Sequence, residues 1–263
     1  MKAPFLSAVA LVAVIFAGVA QAGAGPISTL YLTNGYGIVV VQGNTISSFP
    51  AAYGSPYELP IAVYGDVRTS GDQVNAQIGG QYTLGGTPTG TSYTLPSVIG
   101  SALDSTSDGT HNYLVDYGTG AVYQTARDFT NPVLLFAVSW KNVGITYDAA
   151  NNSLWISGWR FSTIVADYSL GGTLLSSFSS GHSQNGALAL DPADHTLWLV
   201  NGPTGNLEQY STAGALLSTG PNVGFLQGGE FDLAPTTPEP GTLIMLGSGI
   251  VGLAGVLRRK INL

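Results

Sequence analysis

Self-similarity at a spacing of about 42 residues restricts this chain more than any other feature. Leu154-Trp155-Ile156 returns as Leu197-Trp198-Leu199 after 43 residues. Tyr168-Ser169-Leu170-Gly171-Gly172-Thr173-Leu174-Leu175 returns as Tyr210-Ser211-Thr212-Ala213-Gly214-Ala215-Leu216-Leu217 after 42. Upstream, Tyr82-Thr83-Leu84-Gly85-Gly86-Thr87 lies two periods before the Tyr168 segment, and Tyr113 one period before Trp155. Leu30-Tyr31-Leu32-Thr33-Asn34-Gly35 matches Leu197-Trp198-Leu199-Val200-Asn201-Gly202 at an offset of 167, four periods. Five phases result, with Val40, Tyr82, Tyr123, Tyr168 and Tyr210 in one register. Short β-branched and aromatic runs alternate with Gly, Asn, Asp, Ser and Thr clusters, and no stretch of a dozen residues keeps a helical apolar stripe, so the elements are strands. A repeat of about 40 to 45 residues holding several strands predicts a β-propeller, because one four-stranded blade cannot bury both its faces alone.

The ends of the repeat array predict how the ring closes. Residues 144–149 and 186–192 read as innermost strands, and Gly229-Glu230-Phe231-Asp232-Leu233-Ala234-Pro235 repeats the second of them 43 residues on. The first unit, residues 30–49, has no such strand before it. The C-terminal strand therefore supplies it, which removes an exposed sheet edge. The count is five four-stranded blades, with units starting near Pro60, Gly100, Val143 and Gly186; the irregular second unit leaves a six-bladed ring with one degenerate blade open. A strand ending in Asp, a tight turn, a Leu-Trp strand, a Gly-rich turn, a Tyr strand and a Leu-Leu strand together resemble the NHL, YVTN and gluconolactonase-like propellers. Fold of this kind does not carry function with it.

The two ends outside the repeats read as addresses. Lys2, an apolar run over residues 5–19 and Ala20-Gln21-Ala22 have the order of a signal peptide, with Ala20 and Ala22 at the small positions a signal peptidase needs and cleavage before Gly23. At the other end Pro238-Glu239-Pro240 precedes an apolar stretch over 242–257 and then Arg258-Arg259-Lys260. Seventeen residues from Gly241 span about 25 Å as a transmembrane helix, close to the shortest that crosses a bilayer. The three cations form a membrane stop and hold the tip inside. This order resembles the PEP-CTERM sorting signal, a tail also labelled the C-terminal domain of ice-binding proteins. The resemblance implies an exosortase-type transpeptidase as partner, transient inner-membrane anchoring, and delivery to the cell surface or an exopolysaccharide matrix. The domains are then 1–22 signal peptide, 23–235 propeller and 236–263 sorting tail.

Charge and composition exclude more than they select. The interior of the chain holds only Arg68, Arg127, Lys141 and Arg160 against fourteen carboxylates, and the whole chain carries −7. Binding to phosphate backbones needs clustered cations, so nucleic acid is excluded as a partner. Zero cysteine removes disulfides, thiolate catalysis and Cys-ligated zinc. Asp148 and Asp191 sit at matching repeat positions, where Asx side chains close turns, and lack the spacing of a calcium loop. His111 and His195, two periods apart, fall on turns of separated blades, while His182 belongs to an inter-blade loop, so no histidine metal site is expected. Tyr31, Tyr113, Trp155 and Trp198 hold register positions that pack blade on blade; Trp140, Trp159, Tyr53, Tyr57 and Tyr64 lie off it and are the better candidates for exposure. No catalytic residue, cofactor or metal ligand is nominated. The sequence thus reads as an exported, noncatalytic binding or structural module, with a secreted hydrolase or lactonase at the channel mouth as the alternative and a surface-layer array component as a third reading.

Overall fold

Each repeat folds into one antiparallel four-stranded sheet, and five such sheets close a ring. The computed structural model describes residues 27–54, 57–71, 78–139, 141–160 and 162–235. Blade 1 contains β1 (Leu30–Thr33), β2 (Gly37–Gln42) and β3 (Thr45–Pro50); blade 2 contains β4 (Ile61–Val63), β5 (Val67–Thr69), β6 (Ile78–Tyr82) and β7 (Pro88–Thr94). Blade 3 runs β8 (Ala102–Ser107), β9 (His111–Asp116), β10 (Ala121–Ala126) and β11 (Val133–Ala137). Blade 4 runs β12 (Asn142–Asp148), β13 (Ser153–Gly158), β14 (Ile164–Ser169) and β15 (Leu174–Ser179). Blade 5 runs β16 (Asn185–Asp191), β17 (Thr196–Asn201), β18 (Asn206–Tyr210) and β19 (Leu216–Asn222). The last strand, β20 (Gly228–Phe231), returns to blade 1 and pairs antiparallel with β1, Leu30 opposite Phe231 and Thr33 opposite Gly228. There are five blades, and the six-bladed alternative falls away.

The packing follows from which faces each strand must bury. Every residue of β1, β13 and β17 is buried, whereas β3, β7 and β15 are mostly exposed, so burial falls from axis to rim. The core is five apolar wedges between consecutive blades. Tyr31 packs with Ile61 and Tyr82 of blade 2, Tyr113 with Ile145 of blade 4, Trp155 with Leu188 of blade 5, and Trp198 with Leu30 and Phe231 of blade 1. Trp155 and Trp198 are each 2% exposed, so they are interior rather than ligand platforms. In blade 2 the matching position is Arg68, whose guanidinium reaches Asp66 at 2.8 Å and donates to the Arg127 carbonyl of blade 3 at 2.9 Å. A charged cluster replaces the aromatic, with Asp66 also pairing with Arg127 of blade 3 at 2.6 Å.

Two readings need correction. The partner of Leu30 is Val41, as Leu154 pairs with Tyr168 and Leu197 with Tyr210, so Val41 and not Val40 holds the blade 1 register position; in blade 3 Tyr113 pairs with Gln124 as Trp155 does with Asp167, so Thr125 and not Tyr123 holds it. Trp159, one of the candidates for exposure, is 9% exposed and lies against Phe225 with ring centroids 5.0 Å apart. Tyr57 is exposed, Tyr53 and Tyr64 are half-buried, and Trp140 lies outside the described residues.

In blades 2, 4 and 5 the glycine-rich turn before the outer strand has a steric reason. At Gly172 φ is +81°, and an added Cβ would stand 2.6 Å from Cβ of Phe136 on the preceding blade; Gly86 meets Phe49 and Gly214 meets Phe178 in the same way. A side chain there would face both left-handed backbone and a filled site.

Truncating either register tryptophan leaves a cavity between blades, so Trp155→Ala and Trp198→Ala are each expected to cost about 3 to 5 kcal/mol in denaturant unfolding; wild-type stability would place the indoles outside the core. A chain ending at Gln227 lacks β20 and exposes the ladder of β1. Its thermal transition should move well below that of a chain ending at Pro235, and equal midpoints would contradict closure.

Candidate functional site at the channel mouth

Strand register stacks the innermost residues in levels around the axis. Opposite Tyr31, Arg68, Tyr113, Trp155 and Trp198 stand Glu230, Ala62, Thr106, Thr146 and Ala189. Apart from Glu230 the level is built of small residues, two alanines and two threonines. One level away on β8 lies Asp104, and both carboxyls are fully buried. Each innermost strand is also the edge of its own sheet, so its outward N–H groups need acceptors. Asp104 accepts from Gly229 at 2.9 Å, Ile145 at 3.2 Å and its neighbour Ser105 at 2.9 Å, linking blades 1, 3 and 4. Thr106 Oγ1 accepts from Tyr147 N–H at 2.9 Å and Thr146 Oγ1 from Leu190 N–H at 3.1 Å, while the Thr146 hydroxyl donates to Glu230 at 2.9 Å.

Burial pushes the Asp104 carboxyl well above the usual carboxylate range, helped by neighbouring Glu230 and opposed by its three N–H donors. Glu230 is raised for the same first reason, burial, against the Thr106 and Thr146 hydroxyls and the Phe231 N–H. These two carboxyls were not singled out from the sequence, although an acid inside an apolar inner strand was the available signal.

Two residues further along each inner strand come Asp232, Tyr64, Asp108, Asp148 and Asp191, at the end of the channel where the first turns lie. They border two depressions of about 400 and 590 Å³ that share Leu233 and Pro235. Each aspartate holds backbone. Asp148 accepts from Ala150 N–H at 2.9 Å and Asp191 from Ala193 N–H at 2.9 Å, as Asx turns require. Several also clasp the next blade, Asp191 taking Ser28 N–H at 3.3 Å and Asp232 taking Gly65 N–H at 2.7 Å. Burial raises the Asp191 carboxyl, with the Ala193 and Ser28 donors working against it. At Asp108 burial also pushes upward, but the His111 N–H, the Tyr113 hydroxyl and the Thr110 N–H outweigh it and the carboxyl titrates low.

Each histidine has a carboxylate of its own. His111 Nδ1 lies 3.3 Å from Asp108, His182 Nε2 lies 2.7 Å from Glu208, and His195 Nε2 reaches across to Asp148 of blade 4 at 3.4 Å. His195 and Asp148 belong to turns of different blades, and the packing of blade 5 on blade 4 brings them together. Among the described residues no three His, Asp or Glu side chains are grouped to hold a metal ion. Ala20, Ala22, Pro238, Glu239, Pro240, Arg258, Arg259 and Lys260 lie outside the described residues, as does the expected membrane helix; among the described residues no helix is long and apolar enough to cross a membrane.

This arrangement defines the class, a five-bladed, four-stranded propeller closed by its C-terminal strand. Residues 236–260 match the PEP-CTERM protein-sorting motif, so the chain is an exported exosortase substrate with a transient membrane anchor. The body resembles a chain of a nidogen/laminin complex, with a TM-score of 0.53 and 15% identity over 77% of this chain and 97% of that one. A protein of unknown function from Bacteroides thetaiotaomicron gives 0.51 and 14% over 81% and 68%. Virginiamycin B lyase from Staphylococcus aureus gives 0.46 and 15% over 71% and 63%. Identities this low speak to fold and not to activity. No curated protein matches the sequence.

A carboxyl whose folded pKa is raised stabilises the fold below its unfolded pKa and loses that contribution as pH climbs through the raised value. Glu230→Gln cannot ionise. Its denaturant stability should therefore gain on wild type between pH 5 and pH 8, and parallel pH profiles would contradict the buried-acid reading.

Proposed function

We propose that the propeller is a noncatalytic binding or structural module, shown at the cell surface or in the extracellular matrix once the signal peptide is removed after Ala22 and the tail is processed near Pro238-Glu239-Pro240. The observation that carries this reading is the occupation of the acids. Asp104 and Glu230 are buried on the axis and spent on strand N–H and hydroxyl groups. The mouth aspartates hold turns and neighbouring blades. Acid–base chemistry needs a group within reach of a substrate proton and free to exchange it, and these groups are already committed. Among the described residues, stacking on exopolysaccharide has the exposed aromatics Tyr36, Tyr57 and Phe225 to use, because the register aromatics are interior.

The hydrolase or lactonase reading keeps one observation, the His195–Asp148 pair at 3.4 Å beside a depression of about 400 Å³. The two readings separate in one experiment. Full-length protein and its His195→Ala variant are assayed on chromogenic esters, lactones and glycosides. Both should match the blank, and turnover lost in the variant would establish the enzyme. Display is tested separately in the native host: removing residues 236–263 should move the protein from the envelope fraction to soluble fractions, and unchanged fractionation would end the sorting assignment.

A further inference from the structure

The described residues end over the channel mouth, and the last of them are tied down there. Asp232 accepts the Gly65 N–H at 2.7 Å and the Ala234 N–H at 3.1 Å, and the Leu233 N–H donates to the Val63 carbonyl at 3.4 Å. Pro235 borders the depression that Tyr64 of blade 2, Asp108 of blade 3, Asp148 of blade 4 and His195 of blade 5 also line. A residue shared by four blades stands beside the inner strands and not at the outer edge of the ring.

Only Thr236, Thr237, Pro238, Glu239 and Pro240 separate Pro235 from Gly241, where the expected membrane segment of the matched sorting motif begins. Six residue steps cover at most about 21 Å of fully extended chain. The headgroup layer takes about 5 to 7 Å of that, which leaves about 15 Å above the bilayer surface. Strands spaced about 4.8 Å put the outer strand of a blade about 14 Å beyond the inner one, before side chains are counted. An edge-on stance therefore exceeds the reach. With the mouth turned away, the chain would also have to descend the height of a blade, about 23 Å for the seven-residue strands β12 and β16. The axis gives no shorter path, because Asp104 and Glu230 are buried on it.

We infer that, while the tail anchors the protein, the propeller stands with its mouth face against the bilayer surface, and that the mouth depressions open to large partners only when the tail is cut. The inference deepens the display reading and rests on residues 241–257 being the anchor. The tether imposes this stance without help from charge. Neither depression is lined by Lys or Arg, so no basic patch draws the face onto anionic lipid. Processing near Pro238-Glu239-Pro240 then frees the protein and uncovers the face in one step.

The chain has no cysteine, so a single label reports each face. Ala193, in the first turn of blade 5, is exposed on the mouth; Thr204, in the second turn, is exposed on the opposite face. Protein of residues 23–263 with Ala193→Cys or Thr204→Cys takes one fluorophore and is inserted into phosphatidylcholine vesicles that hold nitroxide-headgroup lipid. Quenching should be several-fold stronger for the label at 193 than for the label at 204. A flexible Gly/Ser insertion of about a dozen residues after Pro235 should remove the difference. Equal quenching, or stronger quenching at 204, would overturn the stance while leaving the anchor intact. A difference that survives the insertion would show that the face holds lipid by itself and would overturn the tether argument. Protein that fails to float with the vesicles would remove the anchor, and the inference with it.

Discussion

Five strand edges converge on the propeller axis, and the acceptors that meet their N–H groups hold the ring together. A buried donor left without a partner costs about 1 to 3 kcal/mol, and each inner strand brings several. The chain meets that demand with few side chains: Asp104 takes donors from blades 1 and 4, while Thr106 and Thr146 pass the linkage to blades 4 and 5. Backbone joins blade 5 to the segment before β20 where Ala187 N–H meets the Leu226 carbonyl at 3.0 Å, so these bonds link blades 1, 3, 4 and 5. The aromatic wedges then seal the gaps between blades. Closure by β20 belongs to the same account, since Gly229 and Glu230 on that strand are themselves members of the axial network.

That economy shapes the mouth. With the axis closed by buried acids and small residues, the accessible concavity lies at the rim, where Tyr64, Asp108, Asp148 and His195 surround a shallow depression. Asp108 holds its own turn through Thr110 and His111, and Asp148 meets His195 of blade 5, so the polar groups nearest to solvent are also structural. Pro235 lines the same rim, and the matched sorting motif begins with the next residue.

Most of the fold was legible because the repeat carries it. Five phases, the terminal closing strand and the interior place of Trp155 and Trp198 all follow from residues recurring at one spacing. The slip from Val41 to Val40 has a local cause: Val39-Val40-Val41 has no tyrosine to mark the phase, and only pairing with Leu30 decides it. Trp159 follows β13 and packs on Phe225, which precedes β20; no periodic pattern joins those positions. Asp104 and Glu230 escaped notice because their partners lie on other blades, Asp104 and Gly229 being 125 residues apart. The His195–Asp148 contact is likewise a property of neighbouring blades. Spacing locates a residue on its own blade, and contacts across the axis or between rims depend on how the blades close.

Native-state hydrogen exchange of the axial amides tests this account most directly. If the axial network holds the ring as one unit, the N–H groups of Gly229, Ile145, Tyr147 and Leu190 exchange only with global unfolding, and with the same free energy as the amides of β13 and β17. Exchange of Gly229 or Ile145 at far lower free energy, while β13 and β17 remain protected, would show that blades 1 and 4 part at the axis independently and would contradict the account.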